Sequence, residues 1–147
     1  RAMNLHRKDV CERMLSFGYS LASFISPLAI THDNVSIGRN VFIFELNNIQ
    51  PFSTIEDGVV LWSGNHIGHH SVVKLYCFIS SHVVVSGHCK IGQRSFLGVN
   101  STIIDGIELG ARNLVGAGAT IASNTDNDAV WTAKHTKKAA GKSMRYL

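Results

Sequence analysis

Five of the eight histidines in the chain fall between Leu61 and Gly92, at His66, His69, His70, His82 and His88. Imidazole exchanges protons near neutral pH and is the commonest transition-metal ligand, so such a crowd raises two chemistries, proton transfer at a reacting group and cation binding. Which imidazoles act together depends on the fold between them. His69 and His70 are adjacent, whereas His70 and His88, like His82 and Asn100, stand eighteen residues apart. Cys11, Cys77 and Cys89 contain no C-x-x-C pair and match neither a disulfide framework nor a structural zinc site. They read as thiols of a reducing compartment, the cytoplasm.

The elements that must position these groups follow from a beat of six. From Ile25 an aliphatic residue recurs at every sixth position to Ile121, with Thr31 as the exception, and a mostly compact residue follows each one four places later. Helices and simple strands have periods of 3.6 and 2, so neither holds this register. The expectation is a parallel β-helix over 25–126, with aliphatic residues inside and three faces to a coil of eighteen residues. Residues eighteen apart then stack at about 4.8 Å.

On that coil His69 stands two places after interior Ile67, on a strand face pointing outward, and Gly87 lies one coil above it. His70 and His88 stack on the same face, and two imidazoles are too few for a zinc site, so no metal is expected. Asn65 and His66 fall at the corner before the His69 strand, where polar groups would meet an acceptor, although the inward place of Asn65 equally suits a ladder with Asn47. His82 lies on a different face.

Residues 1–24 form an N-terminal helix and lead-in. Val10, Met14 and Phe17 share one face of a helix over 7–17 that Gly18 ends. The chain starts at Arg1, which suggests a segment upstream. Residues 127–147 form a C-terminal cap and basic tail, in which Val130 and Trp131 read as a closing strand or plug and Lys134, Lys137, Lys138, Lys142 and Arg145 as cations that would meet phosphates. At 147 residues and a net charge of +4, one main domain is expected, with small anions rather than nucleic acid as partners. The uncharged run from Met14 to Ile30 is too short and polar for a membrane span.

The units IGRNVF at Ile37, IGHHSV at Ile67, IGQRSF at Ile91, LGVNST at Leu97 and VGAGAT at Val115 resemble the hexapeptide-repeat transferases, whose fold is a left-handed parallel β-helix. The hand comes from the resemblance and runs against the right-handed crossover rule. The stretch HHSVVKLYCFISSHVVVSGHCKIGQRSFLGVNS from His69 is similar to the sialic acid O-acetyltransferase family and to bacterial N-acetyltransferases of amino-sugar nucleotides.

That resemblance implies an acetyltransferase of surface polysaccharide synthesis, using acetyl-CoA as cosubstrate and a sugar or nucleotide-linked amino sugar as acceptor. It implies a homotrimer with active sites between subunits, and Trp62 reads as packing between subunits in preference to a sugar platform. His69 is then the general base, and the Gly87 N–H binds the thioester carbonyl. The coenzyme A arm passes Gly116 and Ala117, with Lys134 near its phosphates, and Asn65, His66 and His82 are candidate acceptor contacts. Residues 1–19 resemble the end of a small sugar-nucleotide-binding domain. His70 occupies a place where the family commonly has Glu, so either Glu45, a backbone carbonyl or a neighbouring chain orients His69, or the base is less strongly polarised. Oxygen and nitrogen acceptors stay open.

Two other readings share the fold. One is a non-catalytic scaffold subunit. The other is a γ-type carbonic anhydrase, whose paired histidines five apart with a third far upstream have no counterpart among His32, His66, His69, His70, His82 and His88.

Overall fold

A computed structural model describes residues 3–134. Helix α1 spans Met3–Ser16, and a parallel β-helix of about six coils follows. Each strand is only two residues long. One face stacks Phe24–Ile25, Phe42–Ile43, Val60–Leu61, Phe78–Ile79, Phe96–Leu97, Leu114–Val115 and Val130–Trp131. The second stacks Asn48–Ile49, His66–Ile67, Val84–Val85, Thr102–Ile103 and Thr120–Ile121, and the third Ser36–Ile37, Thr54–Ile55, Val72–Val73, Lys90–Ile91 and Glu108–Leu109. Partners such as His66 and Val84 are eighteen residues apart and parallel.

The six-residue beat is the core. Every beat residue from Ile43 to Ile103 is fully buried, where aliphatic side chains of successive coils contact one another and leave water. The first coil is open at its end, so Ile25 is 43% exposed and Ile37 half-buried. The compact series lies beside the corners, and most of its polar members use their side chains on backbone, whereas the buried Ser101 hydroxyl and the Asn47 amide oxygen have no partner among the described residues. The Ser71 hydroxyl donates to the Ser86 carbonyl at 2.9 Å and accepts from the Cys89 N–H at 3.0 Å. Buried amides and hydroxyls placed this way avoid the cost of an unpaired polar group.

The last strand departs from the eighteen-residue period. Leu114 pairs with Val130 and Val115 with Trp131, a spacing of sixteen, so the β-helix runs past Asp126 to Trp131. The Trp131 indole N–H donates to the Asn113 amide oxygen at 2.8 Å, which closes the end of the coil. The helix also departs from expectation. Val10 and Phe17 are exposed, at 45% and 66%. Docking instead uses Cys11, 7% exposed, and Arg7, which donates to the carbonyls of Gly58 (2.8 Å) and Asn40 (3.0 Å) and lies 5.3 Å over the Phe42 ring. No helix among the described residues is long and apolar enough to cross a membrane.

Candidate functional site

Because each strand is two residues long, two-residue corners separate the faces, and the candidate groups sit on these corners. His69 and His70 form one of them, which corrects the expected strand-face position of His69. Directly above lie Gly87–His88 and Asp105–Gly106, and below them Pro51–Phe52. The second member of each pair is left-handed, with φ of 64° at Phe52, 57° at His70 and 56° at His88. A repeated backbone conformation on a repeated coil stacks the side chains: Phe52 on His70 with centroids 4.8 Å apart, and His70 on His88 at 5.0 Å with planes 16° apart.

His69 stands beside that stack. Its Nδ1 is 3.1 Å from Nδ1 of His70, and its ring meets His88 edge-on at 4.9 Å. The Nδ1 contact requires one ring to donate and the other to accept. When His69 donates, its Nε2 is left without a proton. That edge of the ring faces Gly87: a Cβ on Gly87 would lie 2.9 Å from both Nε2 and Cε1 of His69 and 2.9 Å from Oδ1 of Asp105. The Gly87 carbonyl accepts from the Gly106 N–H at 2.9 Å, while its own N–H has no acceptor among the described residues. Gly68, just before His69, must also be glycine, since a Cβ there would meet the Gly87 nitrogen at 2.5 Å.

The other candidates divide among three places. Asn65 is 1% exposed; its amide donates to the Trp62 carbonyl at 2.5 Å and its oxygen accepts from the Val83 N–H at 2.8 Å. It is a coil-to-coil strut, which corrects its expectation as an acceptor contact. His66 is a half-buried strand residue pointing out of the second face, not a corner residue. His82 is exposed on a second corner with Ser63–Gly64, Asn100 and Ala117–Gly118, at φ 56°. Its ring fills the space above Gly64, where a Cβ would lie 2.7 Å from it.

Ala117 is exposed on that second corner, and its N–H has no acceptor among the described residues. Gly116 differs, because its N–H donates to the Trp131 carbonyl at 2.7 Å. It offers a smooth surface rather than a donor. Lys134 is exposed, three residues after the closing strand Val130–Trp131 that pairs with Leu114–Val115. Lys137, Lys138, Lys142 and Arg145 lie outside the described residues. Glu45 also belongs to the second corner, where it accepts from the Ser63 hydroxyl at 2.6 Å. That bond, with the Glu45 backbone N–H, lowers its carboxyl below the usual range. Glu45 thus lies on a different corner from His69 of the same chain, and the group within hydrogen-bond reach of His69 Nδ1 is His70.

Sequence reasoning put His69, His70 and His88 on one face but took only the His70–His88 ladder as a possible ligand set, and it missed Asp105. The column 69, 87, 105 continues the eighteen-residue interval, so the signal for Asp105 was present. The cysteines serve packing: burial pushes the Cys77 thiol up to about 12 and raises that of Cys89, away from the thiolate that reactivity needs.

Residues 88–123 match the bacterial transferase hexapeptide family (six repeats). The fold is similar to PerB of Caulobacter crescentus, solved with CoA and GDP-perosamine, at 25% identity and a TM-score of 0.86 over 88% of this chain and 63% of that one. It is similar to the acetyltransferase domain of PglB from Neisseria gonorrhoeae in complex with acetyl coenzyme A, at 23% identity and TM-score 0.84, covering 88% and 63%. WeeI of Acinetobacter baumannii follows at 16% and 0.72, covering 88% and 64%. The latter two likenesses are of fold. The chain spans about 63% of the length of the perosamine enzyme.

Proposed function

We propose that this chain is a cytoplasmic acetyltransferase that moves the acetyl group of acetyl-CoA to the amino group of a nucleotide-linked sugar, in the synthesis of surface polysaccharide. The observation that carries the reading is the His69–His70 pair, 3.1 Å apart at Nδ1, with the free edge of His69 turned to Gly87. Nitrogen as acceptor is supported by the likeness to the perosamine N-acetyltransferase.

The steps belong to few groups. His69 Nε2 takes the proton of the acceptor nitrogen as that nitrogen attacks the thioester carbon. His70, accepting at Nδ1, fixes the tautomer of His69 and shares the charge that the ring acquires. The Gly87 N–H donates to the carbonyl oxygen as it becomes an oxyanion. His69 then returns the proton to the departing thiolate, which completes amide and free thiol. The absence of a side chain at Gly87 leaves room for the thioester arm.

His82 and Ala117 stand on a different corner from His69 and Gly87, so one chain presents two halves of a site. A homotrimer in which the His69 corner of one subunit faces the Ala117 corner of the next joins them, with Trp62, 44% exposed, and the aromatic ladder Phe44–Trp62–Phe78–Phe96 available for packing between subunits.

Thiol release from acetyl-CoA with a panel of nucleotide-linked amino sugars tests the reading. His69→Ala should lose about 10²- to 10⁴-fold in kcat at unchanged melting temperature. Undiminished turnover would eliminate His69 as the base, and no turnover by the wild type with any amino or hydroxy sugar would leave the scaffold reading.

A further inference from the structure

The corner that carries His69 holds more imidazole than proton transfer uses. His70 has a place in the mechanism above; His88 has none. Yet one nitrogen from each of His69, His70 and His88 lies within 4.8 Å of the others, and all three side chains are exposed. The sequence spacing put the three on one face but offered only the His70–His88 ladder as a ligand set. With His69 on the corner, three donors converge.

We propose that His69, His70 and His88 form a binding site for a divalent transition-metal cation of the zinc type, and that its occupation switches the base off. The donor chemistry is selective. Three neutral imidazoles suit zinc, cobalt, nickel or copper and are poor ligands for magnesium or calcium, which take oxygen. The spacing is close to what a cation needs: two nitrogens each at 2.0–2.1 Å from a tetrahedral zinc stand about 3.3 Å apart, and Nδ1 of His69 and of His70 are 3.1 Å apart. A nitrogen of His88 lies within 4.8 Å of the other two, and a small turn of that exposed side chain brings it onto the cation. Stacking of His70 on His88 at 5.0 Å already holds two of the three rings side by side. The fourth position opens to solvent, as in three-histidine zinc sites.

Occupation has one chemical consequence. A cation on His69 takes the lone pair and replaces the Nδ1 contact with His70, so the ring neither accepts the acceptor's proton nor keeps its orientation. No bond is made or broken in the substrate. The inhibitory half rests on the acetyltransferase reading; the binding half does not.

Titration of tag-free full-length protein with ZnCl2 by calorimetry, and with CoCl2 by visible absorption, separates the two halves. One equivalent per chain is expected, with the visible bands of tetrahedral cobalt. His88→Asn should weaken binding at least tenfold, and Asn accepts the left-handed backbone at that position. The same variant should transfer acetyl groups normally in the presence of EDTA and resist zinc concentrations that halve wild-type activity. His82→Asn, on the other corner, should bind as the wild type does. Absence of stoichiometric binding, or binding indifferent to His88→Asn, overturns the site. Binding that leaves wild-type turnover undiminished overturns the switch. A protein that binds zinc through His88 but transfers no acetyl group contradicts the enzymatic reading alone.

Discussion

Two corners of the same prism differ in what caps their backbone. At the corner running from Arg39 to Asp128, side chains cover it: the Arg39 N–H donates to Asp57 Oδ1 at 2.7 Å, the Leu75 N–H to Glu56 at 2.9 Å and the Ala111 N–H to Asn127 at 2.7 Å. Arg39–Asp57 and Arg112–Asp128 ion pairs lie over it, and α1 seals its first coils through Arg7. At the corner running from Pro51 to Gly106 no carboxylate caps an amide among the described residues. Gly87 leaves its N–H bare, and imidazoles stand around it. One turn geometry thus serves two ends, closure where side chains cap the amides of Arg39, Leu75 and Ala111 and chemistry where no side chain does so.

Substitutions sharpen that contrast, and the largest effect belongs at the histidine corner. His70→Phe keeps the stack, since Phe52 already holds the same conformation one coil below, but removes the Nδ1 acceptor. Steady-state kinetics should show kcat falling about 10²-fold and changed in its pH profile, with KM for acetyl-CoA held. An unchanged profile would reduce His70 to a packing residue. Gly87→Ala places a methyl 2.9 Å from the His69 ring and should lower kcat/KM about tenfold or more while melting stays near the wild type.

At the closed corner the order reverses, with stability moving and activity still. Arg7→Met removes charged hydrogen bonds to Gly58 and Asn40 and should cost about 2 kcal/mol of stability in urea unfolding, with thiol release unaltered. Asp57→Asn should cost about 0.5–1 kcal/mol near neutrality, a value discounted for solvent screening. Its carboxyl is held below the ordinary value chiefly by the Arg39 N–H. A depressed folded pKa stabilises above the unfolded pKa near 4 and ceases to do so as pH falls through the lowered value. The difference in Tm between wild type and variant should therefore close on acidification below pH 4; a gap that widens there would contradict the assignment.

Periodicity made the prism legible. Ile43 to Ile103 are buried as the beat requires, and the compact series sits beside them. What failed were local facts that a period does not carry. A strand of only two residues, His66–Ile67, moved His69 to a corner. The same geometry drew Asn65 wholly inside, where its amide ties Trp62 to Val83. The shortened last coil, with Leu114 opposite Val130, hides because two missing residues end the beat. The edge-on contact of His88 with His69 depends on left-handed turns, which leave no mark in residue type.

In the proposed trimer the base on one corner works with the Ala117 corner of another chain. Mixing two variants tests it directly: His69→Ala, which keeps the second corner, and Ala117→Trp, which keeps the base and fills the exposed Ala117 position. Each alone should be nearly inactive. Unfolded and refolded together in equal amounts, they should recover about a quarter of wild-type acetyl transfer, because that share of random trimer interfaces pairs an intact base with an intact neighbour. Recovery no greater than the sum of the two separate variants would show that both halves must come from one chain, and would contradict the account.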